Sequence, residues 1–373
     1  MAAESQTMAK ETGADLAAVR RRIDEVDEEI QALISERARY AQQVGVAKGE
    51  LAAAVDYYRP EREAEVLRRV RERNQGPLRD EEMLRLFREI MSACLAQQEP
   101  LKIGFLGPEG TFTQAAVYKH FGHSVRALPF GTIDEVFHDV ESGAADFGVV
   151  PVENSTEGTV NNTLDMFLTS PLKIAGEIEL RVEQHLLGCM SSLEAVERVC
   201  AHEQALAQCR GWLREYLPGV DLIGVSSNAV GARRARDEKG TAAIGGDAAA
   251  EVYELQCLVR NIEDCADNAT RFLVIGRELL PASGDDKSTV LVSTSGTGAG
   301  AGVLHALLEP FARFGVNMTR IESRPSRRKN WDYVFFLDLD GHAEQPPLSD
   351  ALRELERISS LFRVIGAYPK AVN

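Results

Sequence analysis

DLAAVRRRIDEVDEEIQALISERARYAQQVGVAK, residues 15–48, is the stretch that decides the architecture of the first part of this chain. Within it apolar residues recur at Leu16, Val19, Ile23, Val26, Ile30 and Leu33. Alternating steps of three and four are those of a helix that buries one face. The next position in that rhythm is Arg37, and Arg20 and Lys48 flank the same stripe, four residues after Leu16 and Val44. A guanidinium on an apolar face is costly unless a hydrogen-bonded anion meets it. That anion is either a carboxylate of the chain, such as Glu63, or a small anionic molecule held inside a helical bundle. At 1.5 Å per residue the helix is about 50 Å long, too long for a lone three-helix bundle. A homodimer whose long helices cover one another is therefore expected, with a homotetramer as the larger alternative.

Outward from this helix, three regions separate by pattern. Residues 13–99 read as all helix, with Asp15–Lys48 followed by Pro60–Arg73 and Asp80–Gln97. Pro60 suits a first helical turn, and Gly76-Pro77 breaks the chain before the third helix. Residues 1–12 are polar and are expected to form a flexible tail. Residues 101–277 alternate short apolar strands with helical stretches, the pattern of an open α/β sheet. Expected strands are Lys102–Leu106, Phe147–Val152, Ile174–Leu180, His185–Met190, Arg198–Ala201, Ala242–Ile244 and Arg271–Ile275. Expected helices are Thr113–Phe121, Thr132–Ser142, Val160–Leu168, Glu203–Tyr216 and Ser227–Glu238. The last strand would return to the first lobe after a second has been built, giving two lobes around a cleft, as in periplasmic binding proteins. A polar linker, 278–287, leads to residues 288–373, whose order is strand, helix, strand, strand, helix, strand. That βαββαβ order is a ferredoxin-like α+β module. The fold class is thus multidomain: all-α, then α/β, then α+β.

With 373 residues, more than one core is required. Net charge is −15, which excludes nucleic acid as a natural partner, and no apolar run reaches the length of a membrane span. The start of the chain has no apolar secretory core, and the six cysteines form no CxxC pair. Reduced thiols in a cytoplasmic protein are expected, with no metal and no cofactor.

Chemistry-bearing residues gather at the ends of the expected strands. Gly107-Pro108-Glu109-Gly110-Thr111-Phe112-Thr113 follows the first strand and opens a helix. Its backbone N–H groups and hydroxyls suit an anion, although it lacks the spacing of a dinucleotide loop. Glu153-Asn154-Ser155-Thr156-Glu157-Gly158 closes the second strand, where α/β sheets bind ligands. Ser226-Ser227-Asn228 begins another helix, and Asn268-Ala269-Thr270-Arg271-Phe272 enters the last strand. An arginine beside hydroxyl and amide groups suits a carboxylate. Taken singly, the last two runs also read as a helix cap and a surface pair.

Gly107 to Thr113, Val150-Pro151-Val152-Glu153-Asn154 and Thr270-Arg271-Phe272 together resemble the prephenate dehydratase family. The helical region resembles the intertwined-helix chorismate mutases. The last region resembles ACT regulatory domains, with Glu322-Ser323-Arg324-Pro325 where such dehydratases carry a phenylalanine-binding motif. The resemblance spans nearly the whole chain and implies a two-activity enzyme of phenylalanine biosynthesis in the shikimate pathway. Its substrates would be chorismate and prephenate, and L-phenylalanine would be its feedback inhibitor.

By that resemblance, Arg37 and the partner subunit's Arg20 hold the carboxylates of chorismate. Lys48 and Gln98 donate to its ether oxygen. Arg62 and Glu63 match the Arg-Glu pair of the second helix, Glu63 receiving the substrate hydroxyl. Cys94 stands where enteric-type mutases have a serine, and Arg59 where they have an acid. In the dehydratase, Thr270 assists departure of hydroxide, Arg271 binds carboxylate and Phe272 packs the site. Glu153, Asn154, Ser155, Thr156 and Gln208 form the orienting network, while Thr111, Ser226, Ser227 and Asn228 line the cleft. The effector would meet Gly302, Val303 and Leu304 together with Glu322, Ser323, Arg324 and Pro325. Two other readings stay open. One is a dehydratase alone, acting on prephenate or arogenate, with the helices serving dimerisation. The other is an amino-acid sensor without chemistry.

Overall fold

The computed structural model describes residues 2–48, 58–97, 99–156, 158–293, 302–325 and 333–372, and within the first helix the side chains of residues 16–47. Three helices open the chain: α1 (Ala2–Lys48), α2 (Pro60–Arg73) and α3 (Asp80–Leu95). Residues 2–12, expected as a tail, instead prolong α1; most are Ala, Glu, Gln, Met or Lys, all good helix formers. Glu61 and Glu63 lie in the first turn of α2 and Arg71 and Arg73 in its last, which complements the helix dipole. The apolar seam of α1 is uncovered, with Ile23 53% and Leu33 64% exposed. By contrast, α2 buries Pro60, Ala64 and Leu67, and Arg68 Nη2 donates to the Ser283 carbonyl at 2.5 Å.

The middle region is built on two sheets. In the first, β1 (Lys102–Leu106) lies parallel to β2 (Arg126–Phe130) and β3 (Phe147–Asn154). β11 (Ala269–Gly276) runs antiparallel between β3 and β5 (Lys173–Arg181), and the two-residue β4 (Gly158–Thr159) pairs with the end of β3. Helices α4 (Phe112–Phe121), α5 (Ile133–Ser142) and α6 (Asn161–Phe167) cover it. The second sheet has the order β10 (Gln256–Val259), β6 (His185–Gly188), β9 (Thr241–Gly245), β7 (Arg198–His202), β8 (Asp221–Val225). Around it lie α7 (Glu203–Gln208), α8 (Arg210–Tyr216), α9 (Asn228–Asp237) and α10 (Asp247–Val252). The return of β11 to the first sheet makes the two lobes expected. The helix expected over 203–216 is broken at Cys209, because the Asp264 carboxylate accepts from the backbone N–H groups of Gly211 (2.9 Å) and Trp212 (3.2 Å) and so starts a new helix there.

The last region is β12 (Asp286–Ser293), α11 (Val303–Phe314), β13 (Met318–Pro325), β14 (Tyr333–Asp340), α12 (Leu348–Ile358) and β15 (Leu361–Pro369). Its sheet, ordered β13-β14-β12-β15, continues into β5 through the parallel register pair Gly366 and Ile174. A Cβ on Gly366 would stand 2.6 Å from the Ile174 Cβ, so only glycine permits that approach. One core crosses the seam, joining Phe167, Ile174 and Leu273 to Leu291, Phe336, Ile365 and Tyr368. Part of the expected linker therefore belongs to the fold: β12 already begins at Asp286, whose carboxylate takes the Ser283 N–H at 2.9 Å.

Candidate active sites

Where β3 ends and the antiparallel β11 begins, their register pairs Thr270 with Asn154 and Arg271 with Glu153. The Thr270 hydroxyl accepts from Asn154 Nδ2 at 2.8 Å. Asn268, 4% exposed, takes Asn154 Nδ2 (3.1 Å), Ser155 Oγ (3.3 Å) and Thr156 Oγ1 (3.3 Å) on its Oδ1. Its Nδ2 is buried with no partner among the described residues. Ser155 also ties the strands by accepting from the Ala269 N–H at 3.0 Å. An oxygen that accepts from an amide leaves the hydrogen of Thr270 free to be given away. Four of the residues expected to act together, Asn154, Ser155, Thr156 and Thr270, are thus joined in one network.

Other expected residues stand further out. Thr111 precedes α4 and lines a cleft between the lobes with Arg181, His185 and Asp247. Gln208, at the end of α7, accepts from Gln184 Nε2 at 3.2 Å, and the buried Gln184 Oε1 lacks a partner among the described residues. Ser227 caps α9 by accepting from the Val230 N–H at 3.2 Å, and Asn228 Oδ1 accepts from the His202 N–H at 2.9 Å. Both side chains have local structural duties, and Ser226 beside them is exposed.

Arg271 departs from its expected role. Its guanidinium is 19% exposed and pairs with Asp338 at 2.7 Å and Glu177 at 3.0 Å, with Glu153 at 3.9 Å. Burial works against its charge, and the Asp338 and Glu177 carboxylates more than offset that, raising its pKa. Successive strand side chains point to opposite faces, so Thr270 faces one way and Arg271 the other, toward the last region. Phe272 is buried in the core of the first lobe.

In β13 the side chains alternate, Glu322 and Arg324 half-buried and Ser323 and Pro325 exposed. Glu322 accepts from Thr159 Oγ1 at 3.0 Å, and Arg324 donates to Asn161 Oδ1 at 2.6 Å and Asp165 Oδ1 at 2.9 Å. The four expected effector contacts of this strand are therefore split between its two faces. Gly302, with φ 93°, precedes α11, which begins at Val303 and Leu304.

The helical region places Arg37 half-buried on α1 and leaves Arg20 exposed, and among the described residues neither meets an acid. Glu63 faces Arg88 at 3.8 Å rather than Arg37. It lies in a pocket with Tyr58, His120 and Lys370, where the three regions meet. Burial pushes its pKa up to about 7 despite Arg88. Burial likewise pushes His120 down to about 3. Arg62 turns outward to Glu65, and Cys94 is buried. Gln98 and the side chain of Lys48 lie outside the described residues.

Comparison with known proteins covers the same three regions. Family profiles match chorismate mutase type II over residues 19–99, prephenate dehydratase over 103–279 and the ACT domain over 300–357. The bifunctional chorismate mutase/prephenate dehydratase of Pseudomonas aeruginosa is 52% identical over 362 residues, 96% of this chain and 98% of its own. This chain belongs to the bifunctional chorismate mutase/prephenate dehydratases. The prephenate dehydratase of Bacillus subtilis is 33% identical over 72% of the chain and 98% of its own length. The Arthrobacter aurescens prephenate dehydratase, solved in complex with L-Phe, is 36% identical with a TM-score of 0.66, over 72% of this chain and 90% of its own. Two further residues stand in the dehydratase region without an expected role of their own, Asn268 and Gln184. Asn268 stood in the quoted run before Thr270, but its role depends on three donors from residues 154–156 that only the strand pairing supplies.

Proposed function

We propose that the chain converts chorismate to prephenate in its helical module and prephenate to phenylpyruvate in its two-lobed module, under inhibition by L-phenylalanine. The module boundaries we read are 13–99, 101–277 and 288–373. The observation that carries the dehydratase half is the Thr270–Asn154 hydrogen bond at 2.8 Å. In that reaction the ring carbon loses its carboxylate as carbon dioxide, the C–OH bond opposite breaks, and the ring becomes aromatic. The leaving oxygen needs a hydrogen, and Thr270, held as an acceptor by Asn154, presents one. The Nδ2 of Asn268, without a partner among the described residues, is a further donor within the same cluster. Arg271 is not assigned a substrate carboxylate, since Asp338 and Glu177 occupy its guanidinium.

Chorismate rearrangement breaks an ether C–O bond and forms a C–C bond within one dianion. It requires cations that grip two carboxylates in a compact shape rather than a nucleophile. Arg37 on the open α1 seam, with Arg20 and Lys48 brought by a second copy or by the chain itself, fits that need. The exposed apolar positions of α1 support a homodimer that covers them. The six free thiols fit a cytoplasmic location. A second reading, in which the helices serve assembly alone, draws on Glu63, which faces Arg88 and Tyr58 instead of the seam.

Purified protein given chorismate is expected to form prephenate and then phenylpyruvate, the second product falling as phenylalanine is added. Turnover of added prephenate with none of chorismate would select the second reading. No turnover of either would overturn both.

A further inference from the structure

Arg271 and Glu153 stand side by side in the β3–β11 register, one step from the Thr270–Asn154 pair and on the reverse face of the strands. The ACT module grips both. Asp338 of β14 holds Arg271 at 2.7 Å, and Arg320 of β13 holds Glu153 at 3.1 Å. Asp338 is itself fixed, 3% exposed, by the Thr289 hydroxyl at 2.8 Å. Lys287 of β12 closes the array on Glu177 at 2.6 Å, and Glu177 also holds Arg271. Three cations, Arg271, Arg320 and Lys287, face four anions, Glu153, Glu177, Asp338 and, 3.5 Å from Arg320, Glu322, so the array carries one net negative charge. Arg271, Arg320 and Asp338 border one small cavity at the seam, and the array is mostly shielded from water, Glu153 being its most exposed member at 38%. A charge so shielded tolerates the loss of its partner poorly, which couples the position of each member to that of its partners.

We propose that Asp338 and Arg320 are positioning residues for the dehydratase, acting through Arg271 and Glu153 to hold Thr270 against Asn154. The proposal rests on the assignment of Thr270 to that reaction. By this geometry the ACT module is part of the active site's frame. Anything that shifts β13 or β14 reaches the reacting hydroxyl through two ion pairs.

The test uses the full-length variants Asp338→Asn and Arg320→Gln. Dehydratase kcat is expected to fall tenfold or more, with KM for prephenate within threefold and chorismate turnover unchanged. Hydrogen exchange of amides in residues 150–156 and 268–274 is expected to rise at least tenfold, while β7 and β9 keep their protection. A fall in KM with kcat intact would mean that Arg271 binds substrate once released, and would overturn the proposal. Unchanged exchange in both variants would overturn it as well, whatever the activity. A wild-type protein inert toward prephenate would sink the functional assignment alone, and the exchange data would still decide the strut. Arg320→Gln lies on the half-buried edge strand and keeps the question open to measurement if Asp338→Asn fails to fold.

Discussion

Replacing Thr270 by valine removes one hydroxyl and keeps the shape of the side chain. In the folded protein that hydroxyl accepts a single described hydrogen bond, from Asn154 Nδ2 at 2.8 Å. The donor is not orphaned, because Asn154 Nδ2 also reaches Asn268 Oδ1 at 3.1 Å and the Ala269 carbonyl at 3.4 Å. The stability cost is then that of one ordinary hydrogen bond, about 1 kcal/mol, and valine suits a strand. The catalytic cost is larger. Removing one donor aimed at developing negative charge typically costs 10²–10³ in kcat, about 2.7–4 kcal/mol. Prephenate turnover, followed by phenylpyruvate formation, should therefore fall at least a hundredfold while chorismate turnover in the same preparation stays constant. Dehydratase activity within threefold of the parent would remove Thr270 from the chemistry. A parallel fall in both activities would show a folding defect instead.

Three further predictions follow from the same geometry. Glu63 has a folded pKa near 7 against an ordinary 4.5, so its neutral form favours the folded state, and that contribution fades as pH rises from about 4.5 through 7. The span amounts to about 3 kcal/mol; Glu63→Gln should flatten urea-unfolding midpoints between pH 5 and 8, and an equal slope in both proteins would refute the burial argument. Ile23→Asp, on the open α1 seam, should yield a monomer by sedimentation and lose chorismate turnover, whereas a dimer with normal turnover would show that another surface joins the copies. Gly366→Ala should lower the melting temperature by several degrees, since its Cβ would meet that of Ile174 at 2.6 Å; an unchanged melting curve would mean that β15 and β5 separate freely.

The α1 seam, the alternation of strands and helices, and the βαββαβ order were all legible, because each rests on a local period. Four strands were not, among them β4, which has only two residues. β2 contains Pro129 and lies at a sheet edge, β10 has only four residues, and β8 is an edge strand with exposed Leu222. The Thr270 cluster was legible as a set of residue types, yet its wiring through Asn268 needed the β3–β11 register. The fate of Arg271 could not be read at all. Its partner Asp338 lies 67 residues away in another module, and an arginine next to hydroxyls and amides looks the same whether it awaits a ligand or a distant acid. The neighbour of Glu63 was hidden for a related reason: its place in α2 was legible, but which residue it faces depends on how α2 docks against the dehydratase and ACT modules.

Two separate sites in one chain are expected to perform consecutive reactions. Mixing two inactive variants, Arg37→Ala and Thr270→Val, tests this most directly. Neither alone should carry chorismate to phenylpyruvate, while the mixture should, because prephenate made by the Thr270→Val protein can be used by the Arg37→Ala protein. Phenylpyruvate formation from chorismate by the Arg37→Ala variant alone, or a mixture that stays silent although both variants are folded, would contradict it.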